Sequence, residues 1–290
     1  FLLGRHPALS AAEVFCHAER TGIPATWDLS RLPGAIIGEG EFPSLDGVVR
    51  MLGGTTMAGS LRATFGALPR PDEILETVPE ILEPRQGKRL VGLSALALNP
   101  NTVRGSGLPG ENAELASAIR RLAMELKRAI GMKGTRVVFP PAGRPDLSTA
   151  QLLHNALPQA GTAVFFLVAP QQTDLVVIEA IQDIEAYTRR DRGKPHADPG
   201  SGMAPPKLAQ MLLNLSLVPA GGTVVDPFCG VGTIPMEAAL MGLRVVASDR
   251  APTKVEQTKE NLAWLFQEKA MAEPRTSAPR TFIHDVTRGA

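Results

Sequence analysis

Cysteine is nearly absent: the 290 residues hold two, Cys16 and Cys229, far apart and in no spacing that suits a disulfide framework or a zinc site, which points to a reducing cytoplasm. Aromatic residues are scarce at 4%, arguing against a surface that stacks many single-stranded bases. Neither sign of charge dominates. Thirty basic against 29 acidic side chains leave a formal net charge of +1, so any basic patch must come from local sorting. No apolar run approaches a membrane span and no leader pattern is present; the opening Phe1 to Leu3 is much too short. The first residue is not methionine and lies in an apparent strand, and the chain ends soon after another, Thr281 to Asp285, so we expect both ends to be cut from a longer parent.

What is present is an ordinary globular balance, 44% hydrophobic and 20% charged, with room for two or three domains. Residues 1–68 read strand, helix, strand, strand, helix, strand. Phe1 to Gly4 is apolar, and Ser10-Ala-Ala-Glu13 forms a capping box with Leu9 and Val14 as its staple. Thr26 to Leu29, Ala35 to Gly38, a helix near Leu45 to Leu52 and Met57 to Phe65 follow. That order predicts a small ferredoxin-like α+β domain. After the linker Leu68-Pro-Arg-Pro, residues 69–183 predict a second α+β domain. It has a strand over Arg89 to Leu98, a Gly-, Asn- and Pro-rich loop over Asn99 to Gly110, and an amphipathic helix over Glu111 to Ile130. Arg120, Arg121, Lys127 and Arg128 sit opposite its apolar stripe, with Lys133 and Arg136 directly after, a face that could track phosphates or simply be solvated. Arg136 to Phe139 is a strand, Ser148-Thr-Ala-Gln151 a second capping box, and Thr162 to Val168 and Leu175 to Ile181 are apolar strands.

Residues 184–290 open on a charge cluster, Arg189, Arg190, Arg192 and Lys194 against Asp191, which reads as an RNA phosphate contact or a solvated connector. His196 and Asp198 stand too alone to make a metal site. The densest signal is Thr223 to Thr233. Val224 and Val225 form a buried strand that Asp226 closes, and Gly230 and Gly232 allow a tight turn against a ligand before a helix begins. A dinucleotide fingerprint would place a third glycine at Pro235, and a phosphate loop would need a Lys-Ser or Lys-Thr pair; neither is here. The second strand, Arg244 to Ser248, ends in Asp249, where doubly wound sheets hydrogen-bond ribose hydroxyls. The pair suits S-adenosylmethionine; the alternative is a plain turn with two aspartates acting as helix caps.

Five segments occur in one order: Tyr187-Thr-Arg-Arg-Asp-Arg-Gly-Lys-Pro, Asp198-Pro-Gly-Ser-Gly-Met-Ala-Pro-Pro-Lys-Leu-Ala-Gln, Asn214-Leu, Asp226-Pro-Phe-Cys-Gly-Val-Gly-Thr-Ile, and Thr258 with Asn261 and Trp264. Together they resemble the THUMP-domain tRNA guanine-N2 methyltransferases that modify guanosine 10. The likeness covers the last third of the chain well and 69–183 loosely, where Leu147-Ser-Thr-Ala-Gln-x-x-His154-Asn155 follows the family pattern. It implies a Rossmann-like methyltransferase sheet over 184–290, of which this chain should hold the first half, behind a THUMP-like unit that grips tRNA.

By that resemblance Gly202, Met203 and the residues to Lys207 wall the methionine end of the cofactor, Asp226 orients its amino group and Asp285 accepts from the adenine amine. Phe228, Gly230, Gly232, Thr233 and Asp249 complete the cofactor set, and Arg189, Arg190, Arg192, Lys194 and Lys207 would meet RNA. Leu208, Met211, Leu212 and Leu215 read as core, and Thr258, Asn261 and Trp264 as packing. The family activates an exocyclic amine with an Asp/Asn-Pro-Pro-aromatic turn. Phe139-Pro-Pro-Ala and Ala204-Pro-Pro-Lys lack the acid or amide, so no catalytic residue can be named, and Val224, Val225 and the Leu208 to Leu215 helix should be partly uncovered. Open alternatives are an rRNA or DNA amino-methyltransferase and a non-catalytic RNA-binding protein.

Overall fold

The structure, a computed structural model, describes residues 1–83, 89–98, 109–131, 134–157, 159–267 and 279–286. In chain order the elements are β1 (Leu2–Leu3), α1 (Pro7–Thr21), β2 (Ala25–Asp28), β3 (Ile37–Gly40), α2 (Leu45–Arg50), β4 (Thr55–Phe65), α3 (Pro71–Thr77), β5 (Arg89–Ala97), α4 (Pro109–Ile130), β6 (Thr135–Val138), α5 (Thr149–His154), β7 (Thr162–Ala169), β8 (Gln172–Ile181), α6 (Ile184–Thr188), α7 (Pro206–Leu215), β9 (Thr223–Asp226), α8 (Thr233–Leu240), β10 (Arg244–Asp249), α9 (Pro252–Gln267) and β11 (Arg280–Ile283). They form two compact units. One holds Phe1–Ala8, Ala25–Val49 and Thr55–Gln182; the other holds Leu9–Pro24, Arg50–Gly54 and Asp183–Ala290.

The first unit is built on a six-stranded mixed sheet of order β1-β4-β8-β7-β5-β6, beside a β2–β3 hairpin. Strands from 1–68 and from 69–183 thus share one sheet, because β4 runs antiparallel to β8 along most of its length. Alternation fills both faces: Val164, Phe166, Leu175 and Val177 pack under α3 and α4, while Phe165, Leu167, Val176 and Ile178 face Leu147, Leu152 and Leu157. The capping box at α5 forms as its sequence predicts, Gln151 N donating to Ser148 Oγ at 3.3 Å and Ser148 N to Gln151 Oε1 at 2.9 Å. The helix α4 begins at Pro109, so Pro109 and Gly110 of the loop expected over Asn99 to Gly110 are helical; the rest of that loop and Lys133 lie outside the described residues.

In the second unit three parallel strands run in the order β11-β10-β9, with Leu213, Met236, Leu243, Val245, Leu262 and Leu265 in its core. The helix α1 belongs here from Leu9 onward, and it corrects the first capping box. Pro7 starts the helix one turn early, which leaves Ser10 and Glu13 one turn apart on its buried face. Glu13 accepts from Gly53 N and Gly54 N, both at 2.8 Å, and from Asn214 Nδ2 at 2.9 Å. Burial pushes its carboxyl up to about 7 against those donors and holds His17 down to about 4, so His17 is neutral. A side chain at Gly53 would lie 2.0 Å from the Lys207 carbonyl, so glycine lets this segment rest on the start of α7. Along α7 the stripe is narrower than its periodicity suggests: Met211 and Leu213 are buried, but Leu208 and Leu212 are exposed and leave the expected core. Val225 is exposed as well, and Val224 is half-buried.

Candidate functional site

In β9 and β10 the register sets Ala247 opposite Asp226, so Asp249 extends two residues further at the same end of the sheet. The turn between β9 and α8 crosses that end. Asp226 Oδ1 accepts from Phe228 N at 3.0 Å, and Asp249 accepts from Gly230 N through Oδ2 and from Ala251 N through Oδ1, each at 3.0 Å. Each carboxylate oxygen retains acceptor capacity beyond these bonds. Burial, with Asp249 adding repulsion, raises the Asp226 carboxyl above its ordinary range. Asp285 follows β11, whose Ile283 pairs with Asp249, so all three acids lie at one sheet end.

The turn is held from behind by side chains that sequence reading assigned to packing. Thr258 Oγ1 donates to Gly230 O at 2.9 Å, and Asn261 Nδ2 donates to Val231 O and to His196 O, each at 2.8 Å. Asn261 Oδ1 accepts from His196 N at 2.9 Å, which ties three segments together through one amide. Cys229 N donates to Ser248 O at 2.9 Å and Gly232 N to Cys229 O at 2.7 Å. Gly232 adopts φ 86°, and a side chain there would meet Thr258 at 2.9 Å; Gly230, at φ 54°, faces open space. The Thr258 to Asn261 spacing, one helical turn on α9, was the available signal for this brace. Trp264 packs at the margin of the core, as its sequence position suggests.

Burial divides the basic cluster. Arg190 is bound to Glu237 through Nε at 2.7 Å and through the Nη2 amine at 3.2 Å, and its guanidinium lies 4.5 Å from the Tyr187 ring centre. Lys194 is 4% exposed and donates to Thr233 Oγ1 at 3.0 Å. Neither is presented to a phosphate backbone, which corrects the RNA reading of both: the fully buried Glu237 requires a cation, and the chain supplies it from this run. Arg189 and Arg192 remain exposed; Lys207 is half-buried, its Nζ 5.1 Å from the Tyr187 ring centre. Met203 is half-buried just before α7, and Phe228 is 73% exposed. His196 pairs with Glu260 and Asp198 with Lys254, and no group of metal-ligating residues occurs among the described residues. Both cysteines are free, and no described helix is long and apolar enough to cross a membrane.

Residues 193–283 match the family described as RMKL-like, methyltransferase domain. Over 74 residues the chain is 49% identical to the tRNA (guanine(10)-N2)-dimethyltransferase of Methanothermobacter thermautotrophicus, covering 25% of this chain and 22% of that one. Over 46 residues it is 54% identical to the protein named probable cobalt-precorrin-6B C(15)-methyltransferase (decarboxylating) of Pyrobaculum aerophilum, covering 15% of this chain and 24% of that one. The solved structure of TrmN from Thermus thermophilus has a similar fold, with TM-score 0.51 and 19% identity over 99% of this chain and 74% of that one. The chain spans less than a quarter of the length of either curated relative.

Proposed function

We propose that this chain binds S-adenosylmethionine at the turn between β9 and α8 and is the cofactor-binding part of a methyltransferase for the exocyclic N2 of a guanosine in tRNA. The carrying observation is the pair of carboxylates, Asp226 and Asp249, on adjacent parallel strand ends around a turn whose backbone is fixed by Asp249, Thr258 and Asn261. Such residues fit an adenosyl group: an acid one strand over accepts from the ribose hydroxyls, and the turn leaves main chain, not side chain, at the nucleoside. Asp226 would take the amino group, and Met203 would wall the methionine end. When bound, the sulfonium supplies an electrophilic methyl group; the chain's own residues bind and orient.

The guanosine reading draws on the relative from Methanothermobacter and on the ordered motifs from Tyr187 to Trp264. The Pyrobaculum relative carries a different substrate in its name at similar local identity, so local identity of this size speaks for the cofactor rather than the base. For RNA we rely on a THUMP-like role of 69–183, where Arg120, Arg121, Lys127 and Arg128 are exposed along α4. Tighter binding of tRNA than of duplex DNA is expected, and the reverse order would favour a DNA amino-methyltransferase. Calorimetry with S-adenosylhomocysteine tests the cofactor site: Asp249→Ala should weaken binding at least about tenfold, from the loss of a charge-assisted bond. Unchanged affinity would remove Asp249 from the ribose.

A further inference from the structure

Within the second unit, the short segment Arg50–Gly54 lies on one face of α7 and meets it through main chain. Arg50 O accepts from Gln210 Nε2 at 3.0 Å and Met51 O from Asn214 Nδ2 at 2.7 Å, two donors one helical turn apart. The glycines end the segment in a tight place. A side chain at Gly54 would come within 2.5 Å of Ser10 Oγ and 2.8 Å of Met211 Cε, as one at Gly53 would meet the Lys207 carbonyl.

Glu13 of α1 holds this end, and its two oxygens are used unequally. Oε1 accepts from Gly53 N and from Asn214 Nδ2, whereas Oε2 accepts from Gly54 N alone among the described residues. All three donors are neutral, and the buried carboxylate has no ion pair among the described residues. A proton therefore has one place to go, the less occupied Oε2, where it turns a charged acceptor into a hydroxyl with a weaker hold on Gly54 N–H.

The other titratable groups around it stay in one state near neutrality. Burial and the Arg20 charge hold His17 down to about 4, and burial pushes the Cys16 thiol up. The Arg20 Nη2 amine is bonded to Asn214 Oδ1 rather than to Glu13, and Arg50 and Lys207, the cations of the other two elements, give main-chain contacts here. An ordinary glutamate is ionised well below neutrality, but burial, opposed by its three donors, pushes Glu13 up to about 7.

We propose that Glu13 is a proton-operated latch: ionised, it fixes Gly53 and Gly54 between α1 and α7; protonated at Oε2, it lets go of Gly54 while Oε1 keeps Gly53 and Asn214. The latch is independent of the cofactor reading. Its sign sets it apart from acid unfolding. A folded-state pKa raised above the unfolded value gives stability that is complete below the unfolded value and lost as pH rises through about 7, so acid loosens one bond while favouring the folded unit.

Heteronuclear NMR on the full chain tests it. The Gly54 amide proton should move in a single step with its midpoint at about pH 7, together with the Glu13 side-chain carboxyl carbon, while the Gly53 amide moves less than about half as far. A Gly54 resonance that stays fixed from about pH 5.5 to 8.5, or a Gly53 resonance that moves as far, overturns the proposal. Glu13→Gln should abolish the Gly54 step, and His17→Gln should leave its midpoint within about half a unit. Persistence of the step in Glu13→Gln, or its loss in His17→Gln, assigns the proton to another group and also overturns it. If Glu13→Gln fails to fold, the carboxyl carbon of the unsubstituted chain still decides: a midpoint near about 4.3, where ordinary glutamates titrate, refutes the latch.

Discussion

Removing Arg190 should destabilise the second unit in a manner that depends on pH. Glu237 is wholly buried, and Arg190 is 11% exposed and holds it with two bonds, so Arg190→Met leaves a buried carboxylate without its main partner. Deleting one member of such a pair costs about 3–5 kcal/mol. The carboxylate has an escape, which is to take a proton. Its pKa already lies above the ordinary value because burial outweighs the attraction of Arg190 and Lys194, and losing Arg190 raises it further. A folded-state pKa above the unfolded value means stability that is complete below the unfolded pKa and lost as pH rises through the folded one, at about 1.4 kcal/mol per unit. Relative to the parent, the variant should therefore lose about 3–5 kcal/mol at pH 8 but only about 1–2 kcal/mol at pH 5, where protonation leaves mainly lost hydrogen bonds. Urea unfolding at both pH values measures this. Arg190→Met with Glu237→Leu should recover most of the pH 8 loss, since an apolar pair needs no charge partner. Deficits equal at the two pH values, or a double variant no better than the single one, would refute the buried-pair argument.

Gly232→Ala should cost about 2–3 kcal/mol, since left-handed backbone strain adds to a 2.9 Å approach to Thr258, whereas Gly230→Ala, with open space at its Cβ, should cost about 1 kcal/mol; equal urea midpoints would contradict this ranking. Arg189→Ala and Arg192→Ala should each reduce the salt slope of tRNA binding by about one without altering stability, and an unaltered slope would make the two residues part of a solvated connector.

Much of this organisation was legible in the chain. Continuous apolar runs marked β7 and β8, Ser148 and Gln151 announced the start of α5, and Asp226 and Asp249 stand at the ends of the strands expected to carry them. Long-range pairing was not. A capping box and an i,i+3 pair on a buried helix face have the same spelling, and only Gly53, Gly54 and Asn214, brought up by folding, decide that Glu13 is the latter. The basic run likewise looks solvent-directed until Glu237, 47 residues beyond Arg190, is seen to be buried against it. Helical periodicity marked α7 as amphipathic but could not tell which side is covered, and Leu208 and Leu212 fall on the open one.

The turn also separates two roles that sequence reading merges. On the proposed cofactor reading its acids and glycines face the ligand, while its shape is fixed by other residues: Thr258 and Asn261 from α9, and the His196 backbone, which Asn261 grips on both its N–H and its carbonyl. A loop whose carbonyls and amides already have partners has little conformational freedom left to lose on binding, so the ordering cost that ordinarily opposes a loop site is small. On that reading Asn261 bears on nucleoside affinity without contacting the nucleoside. An amide that holds two segments from opposite sides can be replaced by neither aspartate, which lacks the donor, nor leucine, which lacks both functions.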